Sequence, residues 1–279
     1  MTSPDAQALA AWVGRSETSE ERISERVAAL LAATLDRDSA PAIGDPLPPL
    51  WHWAHFVPST RAGEIGPDGH ANRGGFLPPV QLPLRMWAGG RLAFHRPLAI
   101  GELAVRRSSI ADVSVKEGKS GTLVFVLVRH AIEGESGLAL SEEHDIVYRN
   151  QPLGPAPDPP AAPDEAQWSD TIRPDPVLLF RYSALTFNSH RIHYDLPYVT
   201  GTEGYPGLVV HGPLIATLLV ESLARRTSRT LKSFSFRAVS PLFDTAPFTV
   251  CGRLEADRAI LWAVNPAGRL AMSAEAGLA

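Results

Sequence analysis

The residues best suited to chemistry form one short polar group, Asn188, His190 and His193. Strongly apolar runs, residues 178–180 and 208–210, lie on either side of this group in the sequence. A polar group buried in such surroundings costs stability unless it is hydrogen-bonded. A neutral imidazole beside a carboxamide can position a water molecule and accept its proton. The group therefore predicts acid–base chemistry on water at His193; the alternative is a core histidine and a turn asparagine whose polar atoms bond to the backbone.

A glycine-containing loop follows at residues 205–213 and reads Y-P-G-L-V-V-H-G-P. It leads into an apolar run of helical length that begins near Pro213. The free N–H groups at a helix start carry partial positive charge, and glycine lets another group approach them closely. The N–H of Gly212 is therefore predicted to stabilise negative charge that develops on an oxygen atom. The alternative is that Gly207 and Gly212 are plain turn glycines.

Together these segments resemble the MaoC-type (R)-specific enoyl-thioester hydratase/dehydratase superfamily, whose members have hot-dog folds. The phrases F-N-S-H-R-I-H-Y-D and Y-P-G-L-V-V-H-G-P-L are similar to those of one branch. That branch contains the type 2 hydroxyacyl-thioester dehydratases and the related mesaconyl- and itaconyl-CoA hydratases. Three further segments resemble the same branch, residues 47–53, 73–79 and 143–149, so the resemblance covers most of the chain.

The resemblance implies three catalytic roles. His193 matches the histidine of the superfamily, and it would take a proton from water as the oxygen attacks the β-carbon of an enoyl thioester. Asn188 stands where the superfamily usually has aspartate; an amide cannot act as a base, so it would only orient the water. Gly212 would polarise the thioester carbonyl through its N–H. The expected partner is an acyl-CoA thioester, and no further cofactor is implied.

A second set of residues is expected to bind the substrate: Tyr182, His190, Arg191, His211, Gly207, Arg73 and Phe76. Tyr182 resembles the tyrosine that opens the family motif. His190 with Arg191 could hold either the tautomer of His193 or the phosphate-bearing arm of the thioester. Arg73 and Arg191 are candidates for binding a substrate carboxylate, because an arginine fork suits carboxylate geometry. Residues 51–53, Trp-His-Trp, are expected to wall the acyl pocket. Packing in a core or a loop is the alternative for each.

Several other classes of function are disfavoured. His190 and His193 are three apart, but no thiolate pair or carboxylate at a typical spacing completes a metal site, so none is predicted. There is no G-x-G-x-x-G, P-loop or G-x-S-x-G pattern. A net charge of −4 with interleaved signs predicts neither nucleic-acid nor membrane binding, and no apolar run is long enough for a membrane span. The single cysteine, Cys251, and the lack of a signal pattern at the N-terminus predict a cytoplasmic location.

In the first half, residues 19–36 show helical spacing, and Ser16 or Thr18 is a candidate cap. Residues 51–85 are irregular, which in a compact domain often indicates a functional segment. Residues 84–90 resemble a short, degraded helix. Strands are predicted over 90–95, 103–116, 123–132 and 138–149.

In the second half, residues 176–182 are predicted as a strand and residues 212–225 as a buried helix. Strands are predicted over 231–239, 248–254, 259–264 and 270–273. Residues 151–163 contain six prolines, which predicts a stiff linker. One curved sheet cannot cover both sides of the helix, so the two halves are expected to pair edge to edge.

The sequence therefore predicts an α+β double hot-dog fold, with a degenerate domain at 1–150, a linker at 151–163 and a catalytic domain at 164–279. One active site per chain is expected, and the sequence leaves a homodimer open. The predicted function is the hydration of a short branched or dicarboxylic enoyl-CoA of the mesaconyl-C4-CoA or itaconyl-CoA type. The alternatives are a dehydratase of (R)-3-hydroxyacyl-CoA or acyl-carrier-protein thioesters, a non-catalytic acyl-thioester binding module and, lower in rank, a thioesterase.

Overall fold

The computed structural model describes residues 5–118, 121–151 and 158–279. Its strands form one sheet of ten, paired antiparallel throughout, in the order β1-β3-β4-β5-β2-β7-β10-β9-β8-β6. The first five are β1 Ser16–Arg22, β2 Leu84–Phe94, β3 Leu103–Gly118, β4 Gly121–Gly134 and β5 Gly137–Arg149. The second five are β6 Trp168–Ile172, β7 Leu231–Ala238, β8 Phe248–Leu254, β9 Arg258–Val264 and β10 Leu270–Leu278. The helices are α1 Ala6–Ala10, α2 Glu25–Thr34, α3 Pro176–Leu185, α4 Leu196–Gly201 and α5 Gly212–Ala224.

The strand order is the same when it is read inward from either edge of the sheet. Each half places its first strand at the outside, then its third, fourth and fifth, and its second strand at the centre. The halves join where β2 pairs with β7, through Gly90 opposite Phe236 and Leu92 opposite Phe234. The expected edge-to-edge pairing of two hot-dog halves is therefore confirmed.

The repeat is also visible at the ends of corresponding helices. Ser24 caps α2 and Asp175 caps α3, each by accepting a backbone N–H of the first turn. Two residues beyond each helix, Asp36 and Phe187 both have positive φ, 56° and 48°. The sequence showed no self-similarity between the halves, because the repeat preserves backbone geometry and not residue identity.

One insertion distinguishes the second half from the first. Isolated bridges follow both helices, Pro46 with Ala99 and Val209 with Phe243. Nine residues (37–45) separate the positive-φ residue from the bridge in the first half, and twenty-one (188–208) do so in the second. The longer segment contains Asn188 and His193, so the first half has no counterpart of this loop.

Helix α5 lies inside the curve of the second half and contacts β8, β9 and β10. Nine of its thirteen residues are buried, on all sides of the helix, so the predicted buried helix is confirmed. At the corresponding place the first half has only a 3-10 turn, Trp51–Ala54.

Two predicted elements have the wrong type. Residues 176–182 belong to helix α3 and not to a strand, because Asp175 caps the segment and Pro176 occupies its first turn. Val177 and Phe180 are apolar although they are exposed. Residues 177–180 therefore read as a continuous apolar run, and the helical period was not visible in the sequence. Residues 84–90 begin strand β2 and are not helical. A Cβ at Gly89 would lie 2.6 Å from the Phe236 carbonyl oxygen, so close strand contact explains that glycine.

The predicted helix at 19–36 is two elements. Residues 16–22 form β1, which pairs with the edge of β3, and the helix is only α2, capped by Ser24 and not by Ser16 or Thr18. The strand β6 was not predicted at all; it is a short edge strand on β8. The residues of β1 and of β6 have only a weak preference for strand structure. Pairing with a strand far along the chain makes each segment a strand.

The predicted linker at 151–163 falls partly outside the described residues, at 152–157, and the division into two domains stays a prediction. Among the helices of the described residues, none has the length and apolarity needed to cross a membrane.

Candidate active site

The inserted loop of the second half is fixed against a loop of the first half. The N–H of Arg191 donates to the Asp68 carbonyl at 2.9 Å, and Ser189 Oγ donates to the Gly69 carbonyl at 2.6 Å. Arg191 Nη1 also donates to the Pro67 carbonyl at 3.0 Å. Gly69 has a φ of +89°, and a Cβ there would lie 1.8 Å from the Ser189 carbonyl oxygen. The site is therefore built between the two halves, and it needs glycine at 69.

His193 ends a 3-10 turn, Arg191–His193, and is buried. Its Nδ1 lies 2.7 Å from the Val209 carbonyl oxygen, so Nδ1 carries the proton and Nε2 presents its lone pair. Burial lowers the pKa of His193 to about 4, although the Val209 carbonyl acts in the opposite direction. The imidazole is therefore neutral at ordinary pH, which is the state that a general base requires.

His211 supports the ring of His193 from one side. The two rings are stacked, with centroids 3.7 Å apart and planes at 17°. Ser183 Oγ lies 2.8 Å from His211 Nε2, and the Tyr182 ring meets His211 edge-on at 5.0 Å. The Tyr182 hydroxyl is beside Thr217 of α5, and burial raises its pKa above the ordinary value. These contacts hold the His193 ring in one plane directly before the start of α5.

Gly212 begins α5, and His211 is its N-cap residue without a capping side-chain bond. Among the described residues, no oxygen accepts from the Gly212 N–H, which leaves it free for a ligand. The Trp87 carbonyl oxygen is 4.0 Å from the point where a Cβ of residue 212 would lie. The helix start is thus open beside His193 and faces strand β2 of the other half.

Asn188 opens the loop after Phe187. Its Oδ1 accepts the N–H of His190 at 3.0 Å, which is the turn bond that the sequence left as an alternative. Its amide NH2 group donates to no other described residue, so the carboxamide both shapes the turn and retains two donors.

His190 lies between His193 and a histidine of the first half. The rings of His70 and His190 have centroids 3.9 Å apart, and His190 meets His193 edge-on at 5.6 Å. Burial and then the neighbouring histidines lower the pKa of His190. Asp68 Oδ2 accepts from His70 Nδ1 at 3.1 Å; burial opposes ionisation, but these hydrogen bonds keep the Asp68 pKa low.

Three of the expected substrate-binding residues have partners within the protein. Arg73 donates to the carbonyl oxygens of Val80 and Pro83. Arg191 donates to Asp195 Oδ2 at 2.8 and 2.9 Å, and its guanidinium lies over the Tyr198 ring. A Cβ at Gly207 would lie 2.5 Å from an Asp244 oxygen, so close packing explains that glycine.

Phe76 packs with Val80, Leu82 and Tyr148 in a separate hydrophobic cluster of the first half. It therefore lines the same part of the molecule as Arg73, whose guanidinium lies 5.9 Å from the Tyr148 ring centroid.

Aromatic side chains of the first half pack against one another and against β7 of the second half. Trp53 and Trp87 meet edge-on at 4.9 Å, and Phe236 of β7 packs against both. Trp53 Nε1 donates to Glu142 Oε2 at 3.0 Å, and His52 Nε2 is 3.2 Å from the same oxygen. This buried carboxylate orients Trp53, whereas Trp87 Nε1 donates to the Gly89 carbonyl oxygen at 2.8 Å.

Two groups of three side chains bring possible metal-binding atoms within 4.8 Å of one another in the described part of the chain. They are Asp68 with His70 and His190, and His130 with Glu142 and His144. Spacing rules did not find them because their members come from distant segments. The absence of a metal centre stays a prediction.

Sequence reasoning expected the first half to contribute Arg73, Phe76 and residues 51–53, but it missed Asp68, His70, Arg85 and Trp87. The only signal was the long irregular stretch at 51–85, which indicated a functional segment without saying which residues mattered. Contacts between loops far apart in the chain leave no periodicity to read.

The fold first defines the class. A Mycobacterium tuberculosis protein described as a double hot-dog fold matches with a TM-score of 0.59 at 15% identity, covering 95% of this chain and 96% of that one. A Chloroflexus aurantiacus protein named mesaconyl-C(4)-CoA hydratase is 50% identical over 268 residues, 95% of each chain. A Schizosaccharomyces pombe protein named mitochondrial hydroxyacyl-thioester dehydratase type 2 is 31% identical over 76% of this chain and 81% of that one.

A family model, hydroxyacyl-thioester dehydratase type 2, matches residues 50–244. The chain belongs to this family, and it is accordingly an enoyl-thioester hydratase or dehydratase, a hydro-lyase.

Proposed function

We propose that this enzyme adds water reversibly across the C=C bond of mesaconyl-C4-CoA or a closely related short, branched or dicarboxylic enoyl-CoA such as itaconyl-CoA. The observation that carries the substrate assignment is the 50% identity over 95% of both chains with the Chloroflexus protein of that name.

In the proposed mechanism His193 Nε2 takes a proton from water while the water oxygen bonds to the β-carbon. The π electrons move towards the thioester carbonyl, and the Gly212 N–H stabilises the enolate oxygen. The α-carbon then receives a proton from His193 or the water around it, which restores the neutral imidazole. The Asn188 amide orients the water and cannot act as a second base.

The test is a panel of CoA thioesters incubated with the purified protein, with loss of the conjugated enoyl-thioester absorbance as the readout. We expect mesaconyl-C4-CoA to give the highest kcat/KM. A preference for straight-chain 2-enoyl thioesters would instead favour the second candidate, an (R)-3-hydroxyacyl-thioester dehydratase, which the 31% identity with the fission yeast protein supports. Release of free thiol would indicate thioesterase chemistry.

The proposal includes no cofactor, since the thioester itself activates the double bond. It also includes a cytoplasmic location, supported by the single buried cysteine, Cys251.

A homodimer is a further part of the proposal. Val177 and Phe180 on α3 are 58% and 63% exposed, and Phe187 and Leu196 on the adjoining loop are 61% and 50% exposed. Such an apolar group is typical of a protein interface. Sedimentation of the purified protein as a monomer at micromolar concentration would refute it.

A further inference from the structure

A dicarboxylic substrate needs a cation close to His193. Water adds to the β-carbon, so the groups on that carbon must lie beside the histidine that handles the water. In mesaconyl-C4-CoA the β-carbon bears a methyl group and a free carboxylate. A carboxylate taken out of water requires charged or hydrogen-bonding partners, and a guanidinium is the best of them.

The two arginines that the sequence suggested for this task have other partners. The Arg73 guanidinium donates hydrogen bonds to the Val80 and Pro83 carbonyl oxygens. The Arg191 guanidinium donates to the Asp195 carboxylate and the Pro67 carbonyl oxygen. Releasing either would break the contacts that hold the loops of the site.

Arg85 is placed differently. It is half-buried on β2, two residues before Trp87, so the two side chains leave the same face of the strand. The backbone of Trp87 approaches the start of α5 at Gly212. Among the described residues no carboxylate pairs with Arg85, whereas Arg91 on the same strand is bonded to Glu143 and Asp145.

The cross-strand neighbour of Arg85 is a second donor for which the described residues provide no acceptor. Tyr148 lies opposite Arg85 on β5 and is fully buried. Its hydroxyl lies beside the Arg85 guanidinium, yet it has no well-formed hydrogen bond in the described part of the chain. The positive charge of Arg85 also acts on two histidines of the site. It contributes to the lowered pKa of His70 and of His190, in each case less than burial does.

We propose that Arg85, assisted by the Tyr148 hydroxyl, is the subsite that binds the free carboxylate of the acyl group. Among the described residues neither the Arg85 guanidinium nor the adjoining phenol has a geometrically well-formed bond to an acceptor, and the guanidinium charge acts on His70 and His190. Two such donors match an anion with two acceptor oxygens. The inference rests on the proposed function and deepens it, because it names the residue that separates dicarboxylic from simple enoyl thioesters.

The test compares kcat/KM for mesaconyl-C4-CoA and for 3-methylcrotonyl-CoA, in which a methyl group replaces the carboxylate. Hydrogen bonds to charged groups are strong enough that Arg85→Gln should lower the first value about 10- to 150-fold. The same variant should change the second value less than about threefold. Arg85→Lys, which keeps the charge without the fork, and Tyr148→Phe should each show a smaller loss confined to mesaconyl-C4-CoA. Arg91→Gln, an exposed arginine of the same strand, is the matched control and should keep the wild-type ratio.

The outcomes separate the two proposals. If the wild type shows no preference for mesaconyl-C4-CoA over 3-methylcrotonyl-CoA, the proposed substrate is wrong. If the wild type has the preference and folded Arg85→Gln keeps it, the carboxylate subsite is elsewhere and this inference is overturned. If Arg85→Gln does not fold, the ratio in Arg85→Lys and Tyr148→Phe decides: an unchanged ratio in both overturns the inference, and a selective loss supports it.

Discussion

At the scale of single residues, the proposed chemistry depends on the protonation state of His193. The Val209 carbonyl fixes the proton on Nδ1, and burial keeps the ring neutral, so Nε2 is available as a base. His211 then holds the ring plane by stacking at 3.7 Å. In the proposed mechanism the asparagine at 188 cannot accept a proton, so the His193 imidazole is the group that transfers protons.

Replacing His193 by glutamine should lower kcat on an enoyl-CoA substrate by roughly 10²–10⁴-fold, the range expected when a general base is lost. Glutamine can still donate to Val209, so the melting temperature should change little. The control is His95→Gln, because His95 is exposed and its ring hydrogen-bonds only to the Ser141 hydroxyl among the described side chains. A His193→Gln enzyme with the kcat of the control would exclude His193 as the base.

At the scale of elements, the active loop is ordered by its contact with residues 66–72 of the other half. Gly69 lets the two backbones approach, and Arg191 bonds across the contact at two carbonyls. The loop contains only short helical pieces, the 3-10 turn 191–193 and α4, which cannot fix a histidine by themselves. Its geometry therefore comes from the neighbouring loop.

We expect Gly69→Ala to reduce both activity and stability. A Cβ would be placed 1.8 Å from the Ser189 carbonyl, at a φ that alanine rarely adopts. The expected loss of unfolding free energy is more than about 2 kcal/mol. Gly63→Ala is the control, because nothing lies within 4 Å of a Cβ at that position. Equal kcat and equal urea midpoints for the two variants would show that the loop contact does not order the site.

At the scale of the whole molecule, one sheet is shared by two halves that differ in content. The second half has a long buried helix and the active loop, whereas the first has tryptophans, histidines and Glu142 in the corresponding interior. Burial lowers the pKa of six of the nine histidines, His55, His70, His130, His190, His193 and His211. The interior of the protein therefore depends on neutral imidazoles.

This dependence predicts early acid destabilisation. A histidine whose folded pKa lies below 6.5 binds more protons when unfolded, so its stabilising contribution is complete above pH 6.5 and is lost as the pH falls towards the folded value, about 4 for His193. Each such group can remove up to about 1.4 kcal/mol of unfolding free energy per pH unit within that window. Urea unfolding at about pH 7.5 and about pH 5.5 should therefore give a clearly lower free energy at the acidic pH. Equal values at the two pH values would contradict the burial of neutral histidines.

The sequence by itself determined the features that depend on local or periodic patterns. These include the helix at 212–224, all or part of eight of the ten strands and the group of Asn188, His190 and His193, since each pattern lies within one continuous segment. The two motif phrases also indicated the family, and the family match confirms it.

Only the tertiary structure decided what depends on partners far along the chain. Strand β1 and the glycines of β2 follow from pairing with β3 and β7, and α3 was misread because its exposed apolar residues have no helical period in the sequence. The approach of Asp68, His70 and Arg85 to the active loop results from closing the sheet across both halves. Such contacts join residues separated by about a hundred positions, so no local pattern encodes them, and side-chain packing between the halves selects them.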